Sequence, residues 1–157
     1  MKQLKTLAVL AALLLVNQAH AACSIGTTGM HFATYSDADN APSQGFGNVK
    51  VTCTSEIGGA LTNLSNGGNL MVSLSSGNSN NYQRYMTNYK NEKLFYNIYL
   101  NPNNATVFGD GTFGTQKVLL SVGSGQTKDM TIYGNIPTHQ NVSAGDFFET
   151  MIITLTP

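Results

Sequence analysis

Phe147-Phe148-Glu149-Thr150-Met151-Ile152-Ile153-Thr154-Leu155-Thr156-Pro157 closes the chain with the most regular pattern in the sequence. Phe147, Glu149, Met151, Ile153 and Leu155 fall on one face and Phe148, Thr150, Ile152, Thr154 and Thr156 on the other, the period of two that defines a β-strand. Pro157 has no N–H to give to a ladder, so no further strand is expected to follow and pair with this one. Unpaired apolar strands are usually blunted with charge, yet Met151 to Pro157 carries none. The expectation is a strand that lacks a neighbour.

Upstream, short runs rich in Val, Ile, Tyr, Phe and Thr recur between Gly and Asn clusters, and no helical apolar period persists. The spacing predicts strands at Cys23 to Phe32, Gly47 to Thr54, Leu70 to Leu74, Leu94 to Leu100, Lys117 to Val122, Met130 to Tyr133 and Phe147 to Thr156. Asn66-Gly67-Gly68, Gly77-Asn78, Asn101 to Asn104, Asp110-Gly111 and Gly123-Ser124-Gly125 supply the turns between them. Such an all-β series suggests a sandwich.

At the other end, Lys2 and Lys5, the apolar run Leu7 to Val16 and Ala19-His20-Ala21 make a secretory signal, with cleavage expected after Ala21. The run is shorter than the roughly 18 residues of a spanning helix, so residues 22–157 are expected to form one exported domain without a membrane anchor. Removing Lys2 and Lys5 from eight basic residues leaves six against eight acids, a formal charge of −2. That balance offers no basic stripe for nucleic acid. Cys23 and Cys53 are the only cysteines of the chain, and in an exported protein they most simply pair with each other.

Motifs that could carry chemistry give way to plainer readings. Gly109-Asp110-Gly111-Thr112-Phe113-Gly114 matches G-x-G-x-x-G, but a strand rather than a helix is expected after it. No G-x-S-x-G turn marks an activated serine, and His31 and His139 have no identifiable catalytic neighbours. Asp37-Ala38-Asp39-Asn40 lacks the glycine and distal glutamate of a calcium loop and reads as a solvated turn. No catalytic residue, cofactor or metal is therefore expected. Tyr82, Tyr85, Tyr89, Tyr96 and Tyr99 lie close in sequence, with Tyr96, Ile98 and Leu100 alternating as core residues would. Tyr82 and Tyr85 remain candidates for a sugar- or surface-binding platform.

Beyond these patterns, the residues resemble the spore coat protein U family, whose members include subunits of archaic chaperone-usher pili. The resemblance covers almost all of residues 22–157: Ala22-Cys23, Phe32 to Asp37, Gly47 to Cys53, Arg84 with Met86, Phe95 to Leu100 and Val107 to Gly111 follow the family's order. Its most specific stretch is Ile132-Tyr133-Gly134-Asn135-Ile136-Pro137-Thr138-His139-Gln140, then Gly145 and Phe147 to Thr150. Phe147 and Glu149 stand where the family commonly has Tyr and Asp, and Phe108 where it has Trp.

The resemblance implies an immunoglobulin-like β-sandwich missing its last strand and completed by donor-strand complementation. It also implies a periplasmic chaperone, an outer-membrane usher and neighbouring pilus or coat subunits as partners, on a route from periplasm to cell surface. On this reading Phe147, Met151, Ile153 and Leu155 border the donor-strand groove, and Phe148 and Ile152 form a second contact face. Cleavage after Ala21 would leave only Ala22 ahead of Cys23, too little to serve as a donor segment, so a terminal or accessory subunit is expected. An adhesive domain built on the tyrosines is the main rival, and a secreted hydrolase a remote one.

Overall fold

In a computed structural model, residues 22–54 and 68–157 are described. The expected signal sequence and the turn residues Asn66 and Gly67 lie outside them. Nine strands follow in order: β1 (Ala22–Phe32), β2 (Ser43–Thr54), β3 (Gly68–Leu74), β4 (Tyr85–Thr87), β5 (Lys93–Phe95), β6 (Asn97–Tyr99), β7 (Val118–Val122), β8 (Thr127–Ile136) and β9 (Ile153–Thr156). All pairings between them are antiparallel, in one sheet ordered β1-β2-β8-β6, a second ordered β7-β3-β9 and a small β4-β5 ribbon. The fold is an all-β, immunoglobulin-like sandwich, as the sequence led us to expect.

Its core follows from alternation. Val49, Val51 and Cys53 of β2 and Ile132 and Ile136 of β8 point inward from the first sheet, and Leu70, Val72 and Leu74 of β3 and Val122 of β7 meet them from the second. Cys23 and Cys53 are directly opposite in the β1–β2 ladder and form the expected disulfide.

Strand β1 changes parity along its length. Cys23 and Ile25 face inward near its start, whereas Met30 and Phe32 do so near its end. A bulge between Thr27 and Met30 shifts the register, with Gly29 at φ +72°, a conformation glycine adopts without steric cost. Met30 and Phe32 then lie over glycines of the neighbouring strands. A Cβ at Gly134 would stand 2.3 Å from Met30 Sδ and 2.5 Å from the Phe32 ring, so that position has room for glycine alone.

Strand β2 starts before the expected Gly47, β8 extends at both ends beyond the expected Met130 to Tyr133, β4 has no counterpart among the expected strands, and two further strands differ more deeply. Leu94 to Leu100 is not continuous: β5 pairs with β4 and β6 with β8, because the chain changes sheets at Tyr96, whose N–H goes to Arg84 O at 3.0 Å. The alternation nevertheless survives, since Leu94, Tyr96 and Ile98 are all buried. At the C-terminus only Ile153–Thr156 joins a ladder, with β3. The extended segment before it is held piecemeal: Phe148 exchanges both backbone bonds with Thr87 at 3.1 Å, and Ile152 O accepts from Ser75 N at 2.9 Å.

Candidate functional site: an open groove between two sheet edges

Strand β1 and the C-terminal segment ending in β9 form facing edges. Among the described residues, β1 pairs only with β2 and β9 only with β3, so each leaves one side of its backbone without a strand. Between them runs a groove. One part, a cavity of about 360 Å³, has walls that include Thr27, Met30 and Phe32 from β1 and Phe147, Met151 and Ile153 from the C-terminal segment. Its floor is made by Leu74, Met86, Tyr96, Ile98 and Ile132. A second part of about 680 Å³ continues past Tyr35 and Asp37 on one side and Val142 to Phe147 on the other, and the two parts share Met30, His31, Phe32, Met86 and Phe147.

Burial along the walls shows what is missing. Leu70, Val72 and Leu74, the inward residues of β3, are at most 6% exposed. Phe147, Met151, Ile153 and Leu155 have the same inward phase but are only half-buried. Met30 and Phe32 opposite are half-buried too. Both walls are thus apolar, inward-facing and incompletely covered, which costs free energy in proportion to the apolar area left wet.

The structure therefore brings together Phe147, Met151 and Ile153 with Met30 and Phe32, and places Leu155 further along the same edge. Sequence reasoning missed the β1 wall. The signal was present in the change of phase between Cys23/Ile25 and Met30/Phe32 across Gly29, which a bulge alone reconciles. Phe148 and Ile152 project from the other face, each 67% exposed.

Glu149 is the polar point in this wall. Its carboxylate accepts from the Tyr96 hydroxyl and from the Asn78 N–H. Gly77, at φ +66°, passes so close that any Cβ there would strike the carboxylate. Burial, and then the adjoining Glu149 carboxylate, push the Tyr96 phenol well above its ordinary pKa, so it stays a neutral donor. Tyr96 also meets Phe32 edge-on at 5.6 Å across the groove floor.

Behind the floor, Arg84 is completely buried. It donates to Ser75 O and Phe108 O at 2.8 Å and to Asn97 Oδ1 at 2.7 Å, and its guanidinium lies 4.7 Å from the Tyr82 ring centre. Burial pulls its pKa down, opposed chiefly by Tyr96, Tyr82 and Glu149.

The tyrosine platform expected at Tyr82 and Tyr85 does not form as a surface. Tyr82 is 6% exposed, donates to Leu74 O at 3.1 Å and accepts from Asp110 N at 3.0 Å, so the polar tip of the ring is spent inside the domain. Tyr85 is half-buried, its hydroxyl on Asn78 O and its ring 4.2 Å from Lys93 Nζ. The glycine-rich Gly109 to Gly114 segment turns on its own Asp110 carboxylate, which takes the Thr112 N–H at 2.9 Å, and leads into β7. Asp37 and Asp39 sit in a turn closed by Asp39 N on Ser36 O at 3.2 Å.

Residues 8–154 match the Spore Coat Protein U domain. The chain belongs to the spore coat protein U domain family. Among solved structures, this domain is similar to a chain of the CsuC-CsuE chaperone-tip adhesion subunit pre-assembly complex from archaic chaperone-usher Csu pili of Acinetobacter baumannii. That similarity has a TM-score of 0.56 at 19% identity, over 87% of the present chain and 40% of that chain. A chaperone-tip adhesin complex of CFA/I fimbriae biogenesis is a weaker neighbour, with a TM-score of 0.41 at 11% identity, over 85% of the present chain and 41% of the other. The chain thus spans less than half the length of either neighbour. No curated protein sequence matches it. The spore coat protein U domain and the sandwich geometry agree on the fold, and the groove is its open seam.

Proposed function

We propose that this domain is an exported structural subunit of a chaperone-usher type surface fibre or coat, and that the groove between β1 and β9 receives an extended strand from another chain. The observation that carries the reading is the pair of facing, half-buried apolar walls, Met30/Phe32 and Phe147/Met151/Ile153, each on a sheet edge without a strand partner. A strand laid between them would hydrogen-bond to both edges and place alternate side chains on the floor, the recognition mode known as β-strand addition. Four buried apolar side chains and several backbone bonds would contribute on the order of 10 kcal/mol before ordering costs.

The occupants that fit are a periplasmic chaperone during transit and a neighbouring subunit afterwards, with the usher as the assembly platform. The resemblance to pilus subunits supports this sequence of partners. Export through cleavage after Ala21 and a mature domain over residues 22–157 belong to the same proposal. So does a terminal or accessory position, since cleavage there leaves Ala22 and Cys23, which already pair with Thr54 and Cys53. Sequencing the N-terminus of the secreted protein tests this, and ten or more residues ahead of Cys23 would overturn it. Phe148 and Ile152, exposed beside the groove, are proposed as a second contact with the chaperone or next subunit. Replacing both with Thr should leave the fold intact and weaken assembly. The function requires no catalysis.

The main test is addition of an extended peptide of about seven residues, alternating Val and Thr, to the purified protein. A rise in Tm with peptide concentration is expected. A stable monomer whose melting the peptide leaves unmoved refutes the proposal.

A further inference from the structure

The face of the β1-β2-β8-β6 sheet turned away from the groove carries an unexplained row. Cα partners across the four strands run His31 to Phe46, Phe46 to Tyr133 and Tyr133 to Tyr99, so four ring-bearing residues stand side by side across the whole sheet. Their neighbours along the strands are Asn48 and Thr131 on one side and Gln44 and Asn135 on the other. At about 4.8 Å between strands, the row spans roughly 14 Å.

Three observations separate it from an ordinary sheet surface. Phe46 is 75% exposed in the middle of the row, with nothing in the molecule covering it. The hydroxyls of Tyr35, Tyr82, Tyr85 and Tyr96 are all hydrogen-bonded within the domain, whereas among the described residues those of Tyr99 and Tyr133, and of the exposed Tyr89 elsewhere, have no hydrogen-bond partner. The first charges met along β2 and β8 beyond Asn48 and Thr131, Lys50 and Asp129, pair with each other at 3.9 Å. The row is therefore aromatic, holds no Lys, Arg, Asp or Glu, and is rimmed by amides and hydroxyls.

We propose that this row binds an uncharged oligosaccharide, whose C–H faces lie on the rings while its hydroxyls bond the tyrosine hydroxyls and flanking amides. The absence of Lys, Arg, Asp and Glu from the row matches an uncharged ligand. With aromatic side chains of about 150–250 Å² each, partly covered here, the row exposes on the order of 300 Å² of ring surface. That is well below the roughly 800 Å² each partner gives to a stable protein interface. It suits a short glycan lying across the strands. His31, at the β1 end of the row, also borders the groove, whereas Phe46, Tyr133 and Tyr99 do not line it, so a complemented subunit keeps these three free. The site is independent of the strand-addition reading and of the buried Tyr82.

The test is direct binding of the full mature protein to neutral glucose, galactose and N-acetylglucosamine oligomers, read by calorimetry or chemical-shift change. At least one oligomer is expected to bind, with about tenfold loss in Phe46→Ala and a smaller loss in Tyr133→Phe, which removes only the hydroxyl. Phe46→Ala should melt within a few degrees of the parent, because the ring is already in water. Absence of binding at millimolar oligomer, unchanged affinity in Phe46→Ala, or preference for anionic oligomers would each overturn the proposal. So would a dimer in the parent that Phe46→Ala converts to monomer, since the face would then be an interface between copies.

Discussion

If the groove is an acceptor for a strand, truncating its wall must cost more in the filled state than in the empty one. Ile153 is the residue to change. A fully buried Ile→Ala costs about 2–5 kcal/mol, and Ile153 is only half-buried, so Ile153→Ala should destabilise the open domain by about 1–2 kcal/mol. A strand over Met30, Phe32 and Ile153 would bury the side chain fully, raising the cost to about 3 kcal/mol. The difference, about 1–2 kcal/mol, is a 5- to 30-fold preference that the variant loses for the filled state. Leu70, already only 6% exposed and not part of the groove lining, supplies the control: Leu70→Ala should cost the same in both states. The assay is urea unfolding of the protein and of a version carrying a Val/Thr strand fused after Pro157 through an Asp-Gly turn. Equal costs of Ile153→Ala in the two versions would refute the reasoning, whatever the absolute stabilities.

Arg84→Ala leaves Ser75 O, Phe108 O and Asn97 Oδ1 without their buried donor, and should lower stability by about 3 kcal/mol or more in chemical denaturation. Arg84→Met should recover only the packing share, and a cost below 1 kcal/mol for the alanine variant would contradict the assignment. Removing the Cys23–Cys53 bridge with serines should cost about 3–4 kcal/mol for a loop of this length, measurable as a fall in urea midpoint with a steeper slope, because the unbridged unfolded chain exposes more surface. Hydrogen bonds from Asn88 and Ser143 hold the Glu92 carboxyl below the usual carboxylate range, so its contribution is present above the unfolded pKa of about 4.3 and disappears as pH falls through the lower folded value. The Tm gap between the parent and Glu92→Gln should accordingly shrink from neutral pH toward about pH 3, and a gap constant with pH would count against it.

Much of the sandwich was legible because alternation is a local property. Phe147 to Leu155 gave the phase of the groove wall, and Leu94, Tyr96 and Ile98 gave an inward face that holds even though their strand is broken. Where the chain changes sheets was not legible. Tyr96 does so because its N–H goes to Arg84 O, extending the β4–β5 pairing, and the pattern of side chains says nothing of which backbone partner wins. Tyr82 misled for the same reason: a tyrosine beside polar loops looks like a surface residue until Leu74 O and Asp110 N are found at its hydroxyl. The β1 wall required recognising that Gly29 hides a bulge, a change of phase too short to separate from noise in one sequence.

Arg84 is held by carbonyl and amide oxygens and not by a carboxylate, and the one ion pair among the described residues, Lys50 with Asp129, is exposed. Dissolved ions weaken attractions between exposed charges and leave hydrogen bonds to buried neutral oxygens almost untouched. A molecule built this way has little to lose when its surroundings pass from fresh water to brine. The domain carries almost none of its cohesion in a form that salinity can reach.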